Sequence, residues 1–83
     1  MTAINDLLTR TKVLRAGVTL LHEDVAAQHG FKGAIAISRG DVSRLAINEI
    51  RGTLSRLGFR IFTARGDQRN RLFRGASEVF FIR

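Results

Sequence analysis

The sequence predicts an α+β fold: a small single-layer sheet of three or four strands with two helices packed on it, ending in a β-hairpin with a long basic arm. Three observations predict this fold. An amphipathic helical segment lies in the middle of the chain, a short apolar segment precedes it, and two segments rich in β-forming residues follow it. The 83 residues correspond to a single domain over 1–83.

The best-defined helix covers 41–57. Asp41 is a favourable N-cap, and Gly58 lies where a C′ glycine belongs. At 100° per residue, the apolar side chains share one face that can pack on a sheet. These residues are Val42, Ala46, Ile47, Ile50, Leu54 and Leu57. Four polar residues form a stripe that we place on the opposite side, as a solvated face or a second binding surface: Arg44, Asn48, Arg51 and Ser55.

Three segments are predicted as strands. "GAIAIS" (33–38) is apolar on both faces, as expected of an internal strand. "FRIFTAR" (59–65) and "SEVFFIR" (77–83) are rich in β-forming residues. The polar segment "GDQRNRLFRGA" (66–76) separates them, which indicates an antiparallel hairpin with a long arginine-bearing arm.

The first thirty residues allow two interpretations. Apolar residues at helical spacing, from Ile4 to Val25, indicate one long helix through Gln28. Several β-branched residues and Gly17 instead indicate a strand near "TKVLRA" (11–16), followed by a helix. We favour a helix throughout "VTLLHEDVAAQ" (18–28) and leave the preceding segment open.

With that additional strand, the order of elements becomes β-α-β-α-β-β over roughly 11–83. This order resembles that of the Alba chromatin proteins and of the C-terminal domain of bacterial translation initiation factor three. The resemblance implies nucleic-acid binding. In Alba proteins the last two strands carry a flexible basic arm, and "RGDQRNRLFRG" (65–75) occupies the corresponding place here.

Positive charge is concentrated in the second half of the chain. Of the net charge of +7, residues 39–83 contribute +6, with ten basic and four acidic residues. The segment 60–74 holds five arginines against one acid, Asp67. Like charges this close together repel one another and lower the stability of the fold. A bound polyanion relieves the repulsion, and its counterions are released on binding. We therefore expect a small basic protein that contacts the phosphate backbone of DNA or RNA through its arm.

The candidate binding residues follow from this expectation. The arm and its base contribute Arg60, Arg65, Arg69, Arg71, Phe73 and Arg74, and the stripe on the helix contributes Arg44 and Arg51. Phe73 lies between two arginines, where it can stack on a base or fold back onto the sheet as part of the core. The sequence leaves both alternatives open.

Other functions are weighed against this one. An interaction protein, such as a phage-type regulator or inhibitor, could dock its arginines on an acidic protein surface. A small toxin-type ribonuclease could use His22, His29 or Glu78 for proton transfer. We predict no catalytic residues, no metal and no cofactor, because the chain has no cysteine, no glycine-rich phosphate loop and no nucleophile elbow. A non-enzymatic protein is favoured.

The sequence also predicts where the protein works. The start, "MTAINDLLTR", lacks signal-peptide features, and no apolar run approaches the roughly 18 residues of a membrane span. We expect a soluble cytoplasmic protein. Because the last strand is apolar on both faces (Val79 and Phe81, Phe80 and Ile82), a homodimer is a further expectation, since it would cover the surplus.

Overall fold

A computed structural model of the chain describes residues 3–10, 13, 15–38, 40 and 42–83. In these residues, eight elements alternate between helix and strand. They are α1 (Ala3–Arg10), β1 (Val18–Leu20), α2 (Glu23–Gln28), β2 (Gly33–Ser38), α3 (Arg44–Arg56), β3 (Ile61–Ala64), α4 (Asp67–Leu72) and β4 (Ala76–Ile82). The strands form one open antiparallel sheet in the order β1-β2-β4-β3. The predicted α+β class is confirmed.

The two central strands, β2 and β4, are apolar on both faces. Their register places Ile35 opposite Phe80 and Ala36 opposite Val79. Because side chains alternate along a strand, each strand presents one apolar set to each face, and the set on one face is larger because β2 contributes isoleucines to it and alanines to the other. The larger set is Ile35, Ile37, Phe80 and Ile82, and the second set is Ala34, Ala36, Val79 and Phe81. The prediction of 33–38 as an internal strand is confirmed.

Helices cover both faces of the sheet. On one face, Leu8 of α1 and three residues of α3 join the larger set in what we call the first core; the three are Ile47, Ile50 and Leu54. On the other face, Ala26 of α2 joins the second core, against which Leu72 and Phe73 pack. This differs from the predicted arrangement of two helices, because four helices cover a sheet whose central strands bury both faces.

The segment favoured as a helix at 18–28 begins as a strand. Val18–Leu20 pairs with β2, and only Glu23–Gln28 is helical. His22 separates the two, and its Nδ1 accepts a hydrogen bond of 3.1 Å from the Asp24 amide. The single long helix is therefore wrong. The alternative was a strand at 11–16. The residues of this segment that the structure describes, 13, 15 and 16, do not belong to a strand. A β-α-β-α-β-β order is present, with α1 and α4 added to it.

Helix α3 begins later than predicted. Its N-cap is Ser43, whose Oγ accepts a hydrogen bond of 3.1 Å from the Ala46 amide. Asp41, the predicted cap, lies outside the described residues. At the other end, Gly58 adopts a φ of +90° and confirms the predicted C′ glycine. Leu57 is 42% exposed and does not belong to the buried face.

The long basic arm is not confirmed. The strands β3 and β4 do pair antiparallel, with Ile61 opposite Ile82. However, their connection contains α4, which packs against β4 through the second core. The reason is composition: the apolar pair Leu72 and Phe73 follows the polar residues of the arm and can be buried only if the segment folds back.

Strand β4 gives no surplus apolar face for a partner. It is internal, with β2 on one side and β3 on the other, and both of its faces are covered by helices of the same chain. The surplus apolar face that predicted a homodimer is therefore absent from the described residues.

The described helices were also compared with the length and hydrophobicity of a membrane span. None of them is long and apolar enough to cross a membrane.

Replacing Ile50 with Asp should cost roughly 3–5 kcal/mol or unfold the protein, because it places an unpaired charge in the first core. Ile50 is fully buried. Chemical denaturation measures the loss. Leu45→Asp is the matched control, because Leu45 lies on the same helix and is 69% exposed. Equal stability of the two variants would show that the buried face of α3 is wrongly assigned.

Candidate nucleic-acid interface

Four of the predicted arginines are exposed and free of carboxylates. Arg60 and Arg65 flank the edge strand β3, while Arg71 lies on α4 and Arg74 just after it. None of the four forms a salt bridge with any described residue. We call these four the free arginines. Their charge is available to a ligand because no acidic side chain in the described part of the chain pairs with it.

Two of the free arginines border a shallow depression on α4. It has a volume of about 540 Å³ and is lined by Asp67, Asn70, Arg71 and Arg74. Arg71 and Arg74 bring two positive charges to its rim, whereas Asp67 is the single acid. Such a rim suits an anionic group, such as a phosphate or a carboxylate, better than an apolar ligand.

Arg69 differs from its neighbours. Its side chain is half-buried, and Nη1 donates a hydrogen bond of 3.1 Å to the Ser77 carbonyl of β4. Its Nε is buried without a partner among the described residues. Arg69 therefore ties α4 to the sheet. The sequence placed Arg69 among the residues that contact a ligand from an extended arm, whereas its side chain is half-buried on the sheet.

Phe73 belongs to the fold. It is half-buried and packs against the second core, at the position that ends α4. Of the two alternatives that the sequence left open, the structure favours the core position. The arginines on either side, Arg71 and Arg74, remain exposed.

The arginines of α3 also have partners. Nη1 of Arg44 lies 3.4 Å from Oε1 of Glu78 on β4. The Arg51 guanidinium lies over the Phe80 ring, 5.1 Å from its centroid. Both side chains therefore reach toward the sheet from the flank of α3 and do not lie opposite the core. All four residues of the polar stripe are exposed.

A groove runs between α3 and β3. It has a volume of about 670 Å³ and is lined by Arg51, Gly52, Ser55, Phe59, Arg60, Ile61 and Phe62. We call it the α3–β3 groove. It brings two arginines together, while the ring of Phe62 lies on the other face of the sheet with Phe81 and Phe31. The sequence placed Arg51 and Arg60 in separate candidate surfaces, and only the sheet topology brings them together.

Phe62 is the aromatic residue that sequence reasoning missed. It is 40% exposed on the edge strand. Its ring lies 5.3 Å from that of Phe31, and the Arg83 guanidinium lies 5.5 Å from its centroid. Phe62 is also paired with Phe81 of the second core, so its ring lies on the face of the sheet opposite α3. The sequence signal was weak, because alternation in 59–65 does not tell an edge strand from an internal one.

Gly52 occupies the middle of α3 and lines the groove. A Cβ at this position would meet only Nη1 of Arg56, at 3.6 Å, which is an ordinary contact with the end of a flexible side chain. Glycine in a helix interior costs about 0.5–1 kcal/mol relative to alanine. The fold therefore does not require a glycine here.

The residues considered for proton transfer are not brought together. His22 contacts Asp24 at 3.4 Å, and His29 packs against Phe81 of the second core. Glu78 contacts Arg44 of α3, which covers the opposite face of the sheet. The sheet thus separates Glu78 from the histidines. Within the described ranges, no group of three or more His, Cys, Asp and Glu side chains could hold a metal ion.

No family model, curated protein or solved structure matches the chain. The resemblance to Alba proteins and to the initiation-factor domain is therefore one of element order and charge.

Arg69→Ala should destabilise the protein by about 1–2 kcal/mol, because it removes a charged hydrogen bond that ties α4 to β4. Arg71→Ala, two residues away on the exposed side of α4, should change stability by less than about 0.5 kcal/mol. Denaturant unfolding of both variants measures the difference. If Arg69→Ala is as stable as Arg71→Ala, the side chain is not an anchor.

Gly52→Ala should stabilise the protein by about 0.5–1 kcal/mol, which raises Tm by several degrees in a domain of this size. Gly58→Ala is the matched control and should lower Tm, because Gly58 has a φ of +90° that alanine rarely adopts. Calorimetry gives both values. If Gly52→Ala lowers Tm instead, then the packing around position 52 requires a glycine, in contradiction to the single ordinary contact with Arg56.

Proposed function

We propose that the protein binds nucleic acid through its phosphate backbone, as a non-enzymatic binding protein. The observation that carries this proposal is the set of four free arginines within residues 60–74, Arg60, Arg65, Arg71 and Arg74, exposed and without carboxylate partners in the described part of the chain. Their guanidinium groups can each hold a phosphate oxygen pair.

Electrostatics supports a polyanion over a small anion. Arginines close together in sequence repel one another, and a ligand with regularly spaced charges relieves this repulsion at several positions at once. Binding also releases condensed counterions from the nucleic acid, which contributes favourable entropy. A single bound anion offers neither gain on the same scale.

The roles of the predicted residues change accordingly. The free arginines contact phosphates, with Arg71 and Arg74 at the α4 depression and Arg60 and Arg65 beside β3. Arg69 positions α4 on the sheet, and Phe73 anchors the end of that helix. Neither of these two contacts the ligand in this proposal.

The affinity for duplex DNA should fall with salt along a log–log slope near roughly −3.6, for four phosphate contacts at about −0.9 each. The double substitution of Arg71 and Arg74 to Ala should flatten the slope by about 1.8 and weaken all sequences alike. Fluorescence anisotropy over a salt series measures both. The Tm of this variant should match that of the parent, because both side chains are exposed.

A charge-matched control separates site binding from net charge. The double substitution of Arg10 and Arg15 to Ala removes the same two charges from the α1 side of the molecule, where Arg15 pairs with Glu49. It should change the slope little. If the two double variants lose the same affinity for nucleic acid, binding depends on the net charge of the protein and not on a site at Arg71 and Arg74. Absence of binding to any nucleic acid, with binding to an acidic protein, would replace this proposal with a protein-docking function.

A further inference from the structure

We infer that a patch of aromatic and arginine side chains beside the edge of the sheet binds an unpaired base of a nucleic acid. In this site, Phe62 stacks on the base, and Arg60 and Arg83 hold the adjacent phosphates. We call it the edge patch, and it consists of Phe31, Arg60, Phe62 and Arg83. Its rings lie on the second-core face of the sheet, opposite the face that α3 covers. This inference rests on the proposed function and adds to it a site and a substrate class.

The Phe62 ring is exposed, and other side chains pack against it. Phe62 lies opposite Phe81 in the register of β3 and β4, and the residue is 40% exposed. The Phe31 ring stacks on that of Phe81, with the centroids 4.6 Å apart and the planes inclined by 16°, and its centroid lies 5.3 Å from that of Phe62. Because these contacts restrict the Phe62 ring, it loses little conformational entropy when a base stacks on it.

The helices of the second layer leave this ring uncovered. Helix α2 packs on β2 and α4 packs on β4, which are the two central strands. Ala64, at the end of β3, is buried in the second core, whereas Phe62 stays exposed at the edge of the sheet. One exposed ring is a small flat surface. It suits a single base better than a protein partner, because a stable protein interface buries roughly 800 Å² on each side.

Arg60 and Arg83 face each other beside the ring. The amide of each donates a hydrogen bond of 2.9 Å to the carbonyl of the other, which extends the pairing of β3 and β4 by one residue on each strand. Residues paired in this way carry their side chains on the same face, and like charges in such positions destabilise a sheet. Neither arginine forms a salt bridge with a described residue. At the edge of the sheet, Arg60 also borders the α3–β3 groove. An anionic ligand relieves the repulsion between the two arginines.

The Arg83 guanidinium joins the charge of the edge patch to its rings. It lies 4.8 Å from the centroid of Phe31 and 5.5 Å from that of Phe62. One of its nitrogens, Nη2, donates a hydrogen bond of 3.4 Å to the Gly30 carbonyl. Because a guanidinium has several N–H donors in its plane, Arg83 keeps donors for a phosphate while its flat face stays over the rings. A cation beside an exposed ring suits a ligand that alternates flat bases with anions, which is the repeating chemistry of a polynucleotide.

The exposed ring selects unpaired bases over paired ones. In a duplex, each base is covered on both faces by its neighbours in the stack. In a single strand, a base can leave the stack and place its face on an aromatic ring. We therefore expect the edge patch to bind single strands, while Arg71 and Arg74 contact the backbone of single strands and duplexes alike.

A second copy of this chain is a poor occupant of the edge patch. A two-fold axis through the patch would place Arg60 and Arg83 of one copy close to the same two residues of the other. These like charges would repel one another, and no described acidic side chain pairs with them. The charge of the patch therefore favours an anionic ligand.

The test compares four labelled probes by fluorescence anisotropy: a 12-nucleotide oligothymidine, a 12-nucleotide oligouridine, a 12-base-pair DNA duplex and an oligoglutamate peptide. Phe62→Leu should weaken binding of the single strands by about 5- to 150-fold, the usual range for one aromatic–base stack, and leave duplex binding unchanged. Phe62→Tyr keeps a ring and should bind like the parent. Phe59→Leu is the matched control and should also bind like the parent, because Phe59 packs against the first core on the other face.

A salt series separates stacking from phosphate contacts. Phe62→Leu should lower the affinity for single strands without changing the log–log salt slope, because the lost ring carries no charge. Arg60→Ala should flatten that slope by about 0.7, the value for one phosphate contact on a single strand. It should not lower Tm, because it removes one of two facing positive charges.

The outcomes separate this inference from the function on which it rests. If Phe62→Leu binds single strands as tightly as the parent, the edge patch is not the site. If Phe62→Leu weakens single strands and the duplex equally, the ring does not act on unpaired bases and the inference is overturned. In either case, duplex binding that depends on Arg71 and Arg74 still supports the proposed function. If only the oligoglutamate peptide binds, and Phe62→Leu weakens it, the patch takes acidic peptides and both nucleic-acid proposals are overturned.

Discussion

The fold depends on one constraint: the two central strands are apolar on both faces. Ile35 and Phe80 point to one side of the sheet, and Ala36 and Val79 to the other, so neither side can face water. This constraint requires two helical layers from a short chain. It recruits α1 and α3 to the first core and folds even the arginine-rich connection into α4, which then covers the second core.

The two layers are unequal, and residue size explains the difference. The first core contains large aliphatic and aromatic side chains, and the 13-residue helix α3 supplies three buried residues to it. The second core is rich in alanine, at Ala26, Ala34, Ala36, Ala64 and Ala76. Small side chains let the backbones of the six-residue helices α2 and α4 approach the sheet closely. Short helices are sufficient there because aromatic rings, including Phe31 and Phe81, fill the remaining space.

The arginines differ in what their side chains contact in this fold. Arg44 pairs with Glu78 and Arg69 binds the Ser77 carbonyl, so both hold helices on β4. Arg83 lies over the Phe31 ring, 4.8 Å from its centroid. The free arginines, which flank β3 or lie on and just after α4, form no salt bridge with a described residue. Charge that would weaken the fold is thus left at the surface, where it also keeps other strands from pairing with the edge.

The sequence by itself determined the α+β class, the internal strand at 33–38, the antiparallel pairing of the last two strands and the glycine that ends α3, because alternation, periodicity and turn chemistry are local signals. It also located the excess of positive charge. Only the tertiary structure decided the strand at Val18–Leu20, whose partner lies in β2, and the folding of the arm into α4. The candidate groove could not be predicted from the sequence either. Phe62 is exposed because β3 is at the edge, and Arg51 and Arg60 line one groove because α3 packs beside that strand. Edge position and helix placement arise from contacts between residues distant in sequence, which no local pattern encodes.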